Sequence, residues 1–169
     1  MSQTEFTNQQ TFLGVRTLTK QRQSGLTLLE IVLAVAVTAI LLAIALPNYS
    51  SYLTRAKNAQ ALADIGEMST LIVRFYNDNN GRVPDSLAEV GLAGKLDPWD
   101  RPYEFLNLTT MTGKSKARKD KNLVPINSDF DLYSVGEDGA SVPPLTAKPS
   151  RDDLIRGNNG RFIGLAADH

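Results

Sequence analysis

From Leu26 to Leu46 the chain is apolar at almost every position, and Glu30 is the only strongly polar side chain in the run. About 21 residues at a rise of roughly 1.5 Å make a helix of about 31 Å, enough to cross the core of a bilayer. The pattern then changes without a break. Leu62, Ile65, Met68, Ile72 and Phe75 recur at three- and four-residue steps, with Asp64, Glu67 and Arg74 between them, the spacing of an amphipathic helix. Asn77-Asp78-Asn79-Asn80-Gly81 supplies turn formers and a C-cap glycine. The spacing therefore predicts one long helix, about residues 26–78, apolar all round in its first half and two-faced in its second. Pro47 stands at the junction, where it removes a backbone donor and is expected to kink or loosen the helix.

After Gly81, Pro, Gly and Asp punctuate short runs. Residues 85–90 suit a short helix. Strands are expected over Tyr103 to Leu108, around Leu123 to Ile126, and over Phe130 to Val135. Their spacing suits a small antiparallel sheet packed on the amphipathic half of the long helix, an α+β head on a helical stalk.

Composition narrows the chemistry. The 169 residues allow one modest domain plus extra elements. A formal net charge of zero speaks against a nucleic-acid binder with a strong basic field. There is no cysteine, which excludes a disulfide scaffold, zinc–thiolate sites and thiol nucleophiles. The only histidine is His169, so a His-based triad or His-rich metal site is not expected. Carboxylates remain as catalytic candidates, but they lie in turn-like contexts without an evident acid/base partner. Arg16, Lys20 and Arg22 precede the apolar run, which by the positive-inside rule leaves the N-terminus in the cytoplasm. A secretory signal would have a shorter apolar region and a small-residue cleavage site, whereas this run ends at Leu46-Pro47-Asn48-Tyr49.

Glu30 is the anomaly. A charged carboxylate inside hydrocarbon costs on the order of 3 kcal/mol. Either it lies near the headgroups, or it needs a buried positive partner, such as an α-amino group created by cleavage just before the apolar run.

Gly25-Leu26-Thr27-Leu28-Leu29-Glu30, with its basic leader and uncharged span, resembles the class III leader junction of type IV pilins and type II secretion pseudopilins. The resemblance implies a type IV pilin-like fold. It implies cleavage by a prepilin peptidase between Gly25 and Leu26, N-methylation of Leu26, and pairing of Glu30 with the N-terminal amine of an adjacent subunit. Pro47 lands where the family has its kinking proline. The chain departs from the usual pattern in starting its mature part with Leu rather than Phe, and in a longer leader. The implied organisation is a leader over 1–25, a transmembrane and assembly half-helix over 26–47, an amphipathic half over 48–78 and a head over 79–169.

Within the head, Asp97-Pro98-Trp99-Asp100-Arg101-Pro102-Tyr103 reads as a turn whose Trp99 and Tyr103 cover the helix. It resembles the Asp-Pro-Trp-Gly-x-Pro-Tyr loop of major pseudopilins, with Asp100 in place of Gly, a tolerable substitute where φ is positive. Gly136-Glu137-Asp138-Gly139 reads as a solvated turn after a strand, and Ser150 with Asp153 as the capping start of a short helix. Two acid clusters flanking a Pro-rich loop can also serve calcium, which takes six or more oxygens. The spacing is not that of an EF-hand. Here too the stretch resembles the C-terminal loop of the major pseudopilin, which binds calcium. Carried across, Asp138 and Asp152 would give side-chain oxygens, Val135, Ala140 and Ser150 backbone or hydroxyl oxygens, and Asp153 an alternative carboxylate. The loop holding Pro143, Pro144 and Pro149 is longer than in that family, and no terminal Asn-Trp follows. The basic run from Lys114 to Lys121 reads as a solvated hairpin loop, or as an electrostatic contact with acidic neighbours.

The resemblance thus implies a non-enzymatic homopolymer subunit anchored once in the bacterial inner membrane, with its head in the periplasm. Its partners would be the prepilin peptidase, minor pseudopilins, the assembly platform and its ATPase. The alternatives are a type IV pilus subunit for adhesion, motility or DNA uptake, and a monomeric membrane-tethered binding domain.

Overall fold

A computed structural model describes residues 25–169. The expected leader, apart from Gly25, and the basic flank at Arg16, Lys20 and Arg22 lie outside the described residues. The chain divides into two units at Leu42.

Helix α1 spans Leu28–Asp78 as one element, so Pro47 does not split it. Its start is set by Thr27, whose Oγ1 accepts the Glu30 N–H at 3.1 Å, satisfying one of the orphan donors of the first turn. This places the first helical residue two positions after the expected one. At the other end the Gly81 N–H reaches back to the Tyr76 carbonyl at 2.9 Å, a cap by the glycine expected there. In the first unit every described residue, Gly25 to Leu42, is exposed. Leu28 is 83% exposed and Ile40 64%.

In the second unit α1 has a buried face formed by Ala61, Ile65, Met68, Ser69 and Ile72. Leu62 packs against this core half-buried and Phe75 is also half-buried, because the face is centred one position away from each. Burying each Ile or Met contributes about 1.5–3 kcal/mol, and that face is what holds this part of the helix to the sheet.

The sheet is an antiparallel meander of four strands in chain order: β1 Glu104–Asn107, β2 Phe130–Ser134, β3 Leu154–Gly157 and β4 Phe162–Leu165. Alternate side chains of a strand point to opposite faces. Phe130 and Leu132 of β2 and Leu154 of β3 join the helix-side core with Val83 and Tyr103. On the opposite face Tyr133 packs on a second cluster of Ile126, Leu145, Ile155 and Ala166. Loops therefore cover the face that the helix does not, and β3 is buried at all four positions. Arg156 projects from β3 toward the helix side. It donates to Ser69 Oγ of α1 at 3.0 Å, clasps Asp129 at 2.9 and 2.7 Å, and stacks 3.8 Å over the Phe130 ring.

Three expectations change. Leu123 to Ile126 is not a strand of the sheet. It lies over the outer face, with Ile126 buried and its N–H bonded to the Arg118 carbonyl at 3.0 Å. Ser150 and Asp153 do not start a helix, because a single 3-10 turn at Lys148–Ser150 leads directly toward β3. β3 and β4 are strands beyond those expected: β3 is buried on both faces, which removes the polar–apolar alternation that marks a strand, while β4 is a short half-buried run that includes Gly164. The segment 85–90 forms a 3-10 turn, Leu87–Val90, closed by Gly91.

Tyr103 anchors the Trp99 turn to the helix, donating its hydroxyl to Asp64 Oδ2 at 2.9 Å. Burial, reinforced by that bond to Asp64, pushes its phenol well above the ordinary value of 10.0. The unfolded chain therefore loses this proton first, and the stability it contributes is complete below pH 10 and is lost as pH rises above it. Denaturant melts of wild type and Tyr103→Phe are expected to show a steeper alkaline decline in wild type, by up to about 1.4 kcal/mol per pH unit. Parallel alkaline limbs would refute the role assigned to this phenol.

Candidate functional site

Two places carry the chemistry singled out in the sequence. The first is the start of α1. Gly25, Leu26 and Glu30 are all exposed, Leu26 by 71%. Thr27-Leu28-Leu29-Glu30 has capping-box spacing, and the acid lies in the first turn, where the helix dipole favours negative charge. Glu30 thus has a local reason to be there, and its carboxylate still faces outward. Among the described residues, the apolar side chains from Leu26 to Leu46 are exposed on every side of the helix. Among the described residues, α1 is the one helix long and apolar enough to cross a membrane.

The second place is the connection between β2 and β3, with the turn at Asp97. Asp97 Oδ1 accepts the N–H groups of Trp99 at 2.9 Å and Arg101 at 3.0 Å, closing its own turn. Its Oδ2 accepts the Ser134 hydroxyl at 2.6 Å, tying that turn to the end of β2. Asp100 sits at φ +64°, so the position does require the left-handed backbone that glycine would take most easily. Arg101 donates to the carbonyls of Gly136, at 2.5 Å, and Glu137, at 3.1 Å. The two loop motifs recognised separately in the sequence form one hydrogen-bonded body.

Of the residues expected around calcium, Asp138 and Asp152 do meet. The Asp138 N–H donates to Asp152 Oδ2 at 2.9 Å, and Asp138 Oδ1 accepts the Ala140 N–H at 2.7 Å. Ser150 Oγ is turned to Val142, accepting its N–H at 2.9 Å and donating to its carbonyl at 2.7 Å. Asp153 is fully buried, and its Oδ2 takes the Arg118 guanidinium and the Ser141 hydroxyl. Among the described residues no three His, Cys, Asp or Glu side chains gather as a metal would need. Asp153 Oδ1 is buried and has no hydrogen-bond partner among the described residues. A cation placed on it would face Arg118 across one carboxylate, and two unit charges 4 Å apart repel by about 4 kcal/mol at an effective dielectric constant of 20. The Ser150 hydroxyl and the Asp153 carboxylate are thus committed to Val142, Arg118 and Ser141, and of the expected side-chain ligands Asp138 and Asp152 are the two that meet.

Arg118 is the residue that the sequence pattern did not single out. It belongs to the basic run expected to be a solvated hairpin loop. Lys114 and Lys116 are exposed, but Ala117 and Arg118 are buried, Arg118 to 2%. Within a run of lysines nothing distinguishes a guanidinium that turns inward. The Arg118 N–H donates to Asp131 Oδ2 on β2 at 2.7 Å. Burial pushes the Asp131 carboxyl above its usual range, against the bonds it accepts from Arg118 and Asn127. Burial moves Asp153 the same way, opposed by Ser141 and Arg118.

Gly136 makes the crossing of these segments possible. Its φ is +67°, and a Cβ there would lie 2.3 Å from the Asp152 carbonyl oxygen. Gly139, at φ +71°, backs onto the Arg101 guanidinium in the same way.

Residues 20–46 match the prokaryotic N-terminal methylation motif. Over 147 residues the chain is 31% identical to the type IV major fimbrial protein FimA of Dichelobacter nodosus, covering 85% of this chain and 87% of that relative. Over 140 residues it is 28% identical to the type II secretion system core protein G of Pseudomonas aeruginosa, covering 71% of this chain and 87% of the relative. The corresponding protein of Aeromonas hydrophila is 27% identical with the same coverage. No solved structure matches.

Gly136→Ala is expected to destabilise the head by about 2 kcal/mol or more, from a left-handed alanine and a backbone clash combined. A thermal melt unchanged from wild type would show that the crossing of Gly136 and Asp152 is not close.

Proposed function

This chain belongs to the type IV pilin-like superfamily, and we propose that within it the chain is the major pseudopilin, the structural subunit of a type II secretion pseudopilus. The observation that carries this reading is the single body made by the Asp97 turn and the Gly136–Gly139 loop, locked through Ser134 and Arg101. These are the two motifs by which the head resembles major pseudopilins. The similarity to core protein G over most of that protein's length supports it.

The physical task is to move an apolar helix out of lipid. Leu26 to Leu46 leave the bilayer at little net cost if they bury against the same segment of neighbouring subunits. Each Leu-sized side chain exchanges about 1.5–3 kcal/mol of lipid burial for a similar amount of protein burial. The prepilin peptidase cuts between Gly25 and Leu26, and the new amine is methylated. Glu30 then sets register, because each incoming subunit presents that amine to the acid of a subunit already in place. An acid left unpaired in such a core costs several kcal/mol. The subunit spans the inner membrane once, N-terminus in the cytoplasm and head in the periplasm. It works with the minor pseudopilins, the platform protein and the ATPase as a structural element rather than an enzyme.

The breadth of the match to the fimbrial protein, 85% of this chain, favours a second reading, a subunit of a type IV pilus. Deleting the gene separates the two. Loss of protein export with motility intact is expected for a pseudopilin, whereas loss of twitching and surface filaments with export intact would replace the first reading by the second. In either filament Glu30→Val is expected to be processed and inserted but to assemble poorly. Filaments at wild-type abundance would refute the pairing of Glu30 with an amine.

A further inference from the structure

We propose that the guanidinium of Arg118 is the internal cation of this head, holding the connection between β2 and β3 in the way that a metal ion would, so that the head folds without calcium. The inference stands for a pseudopilin and a pilin alike, because it concerns only the head.

The connection runs from Val135 to Asp153 with no strand of its own and one short 3-10 turn. Loops longer than about 12–15 residues need something to order them. Arg118 supplies it from the side. Its Nη1 donates to Ser141 Oγ at 2.6 Å and to the Val142 carbonyl at 2.8 Å, and its Nη2 to Asp153 Oδ2. A hydroxyl, a carbonyl and a carboxylate are the oxygen types that a calcium site collects. Here they converge on a planar cation.

The clamp is fixed at its own base. The Arg118 N–H is held by Asp131 of β2, and the guanidinium lies 4.4 Å from the Tyr133 ring centroid on the same strand. One residue therefore spans β2, the middle of the connection and the residue just before β3. Ser141 completes the arrangement, since its hydroxyl accepts from Arg118 while donating to Asp153 at 2.6 Å. At the beginning of the same connection Arg101 performs a parallel task on the Gly136 and Glu137 carbonyls. The Gly136, Glu137 and Val142 carbonyls and the Asp153 carboxylate thus already face positive charge from their own chain.

The test uses the full-length protein in detergent, melted in millimolar calcium and again after exhaustive treatment with EGTA. The two melting temperatures are expected to coincide. Arg118→Met is expected to melt roughly 10 °C or more below wild type, because it leaves Asp153 buried and uncompensated. Combining it with Asp153→Leu, which removes both charges, is expected to recover part of that loss. Arg118→Lys keeps the charge and the reach but not the fork, and is expected to melt between wild type and Arg118→Met, or below wild type if the Met variant does not fold. A wild-type melting temperature that falls in EGTA and returns with calcium would overturn the proposal. So would Arg118→Met or Arg118→Lys melting like wild type.

Discussion

The apolar side chains of residues 26–46 lie on every face of α1 and are exposed among the described residues. Water is an unfavourable surrounding for such a surface, so the surroundings of this protein are prescribed by its first helix. A bilayer meets the demand, and so does a bundle of identical helices. A segment at home in both can pass from one to the other, and that is the property a filament drawn out of a membrane requires. On the proposed reading, Glu30 makes the exchange directional by meeting a positive partner from another subunit. In the single chain its N–H is held by the Thr27 cap and its side chain is exposed.

The head answers a different constraint. The four-stranded sheet buries residues on both faces, and only one of them receives the helix. The other is covered by irregular chain, whose backbone polar groups must all find partners. Two buried arginines organise the two sides. Arg156 joins β3 to the helix through Ser69 and to β2 through Phe130 and Asp129, while Arg118 joins the outer loops to β2 and Asp153.

Legibility in the sequence followed burial. The long helix was readable because one half is apolar on all sides and the other keeps a regular three-four spacing at Ile65, Met68 and Ile72. Strand β2 was readable because its apolar residues end in a glycine turn. β3 was not, because Leu154-Ile155-Arg156-Gly157 is buried on both faces and carries a buried cation where a solvent-facing residue is normally read. The outward role of Lys114 and Lys116 was legible and the inward role of Arg118 was not, since identical charge runs serve both purposes. The junction at Gly25 and Glu30 was recognisable as a pattern of residues, and the geometry adds to it the N-cap made by Thr27. The expected calcium ligands were placed by resemblance alone, and spacing along a chain does not reveal that Arg118 reaches Asp153 from 35 positions away.

The central claim is that the apolar helix is released from a leader and enters an assembly by its new amine. It is tested most directly by the intact mass and N-terminal chemistry of the protein isolated from its host's membranes. The account predicts a chain that begins at a methylated Leu26. A chain that still carries Met1 to Gly25, in a host whose prepilin peptidase is active, would contradict it and leave the helix as an anchor only.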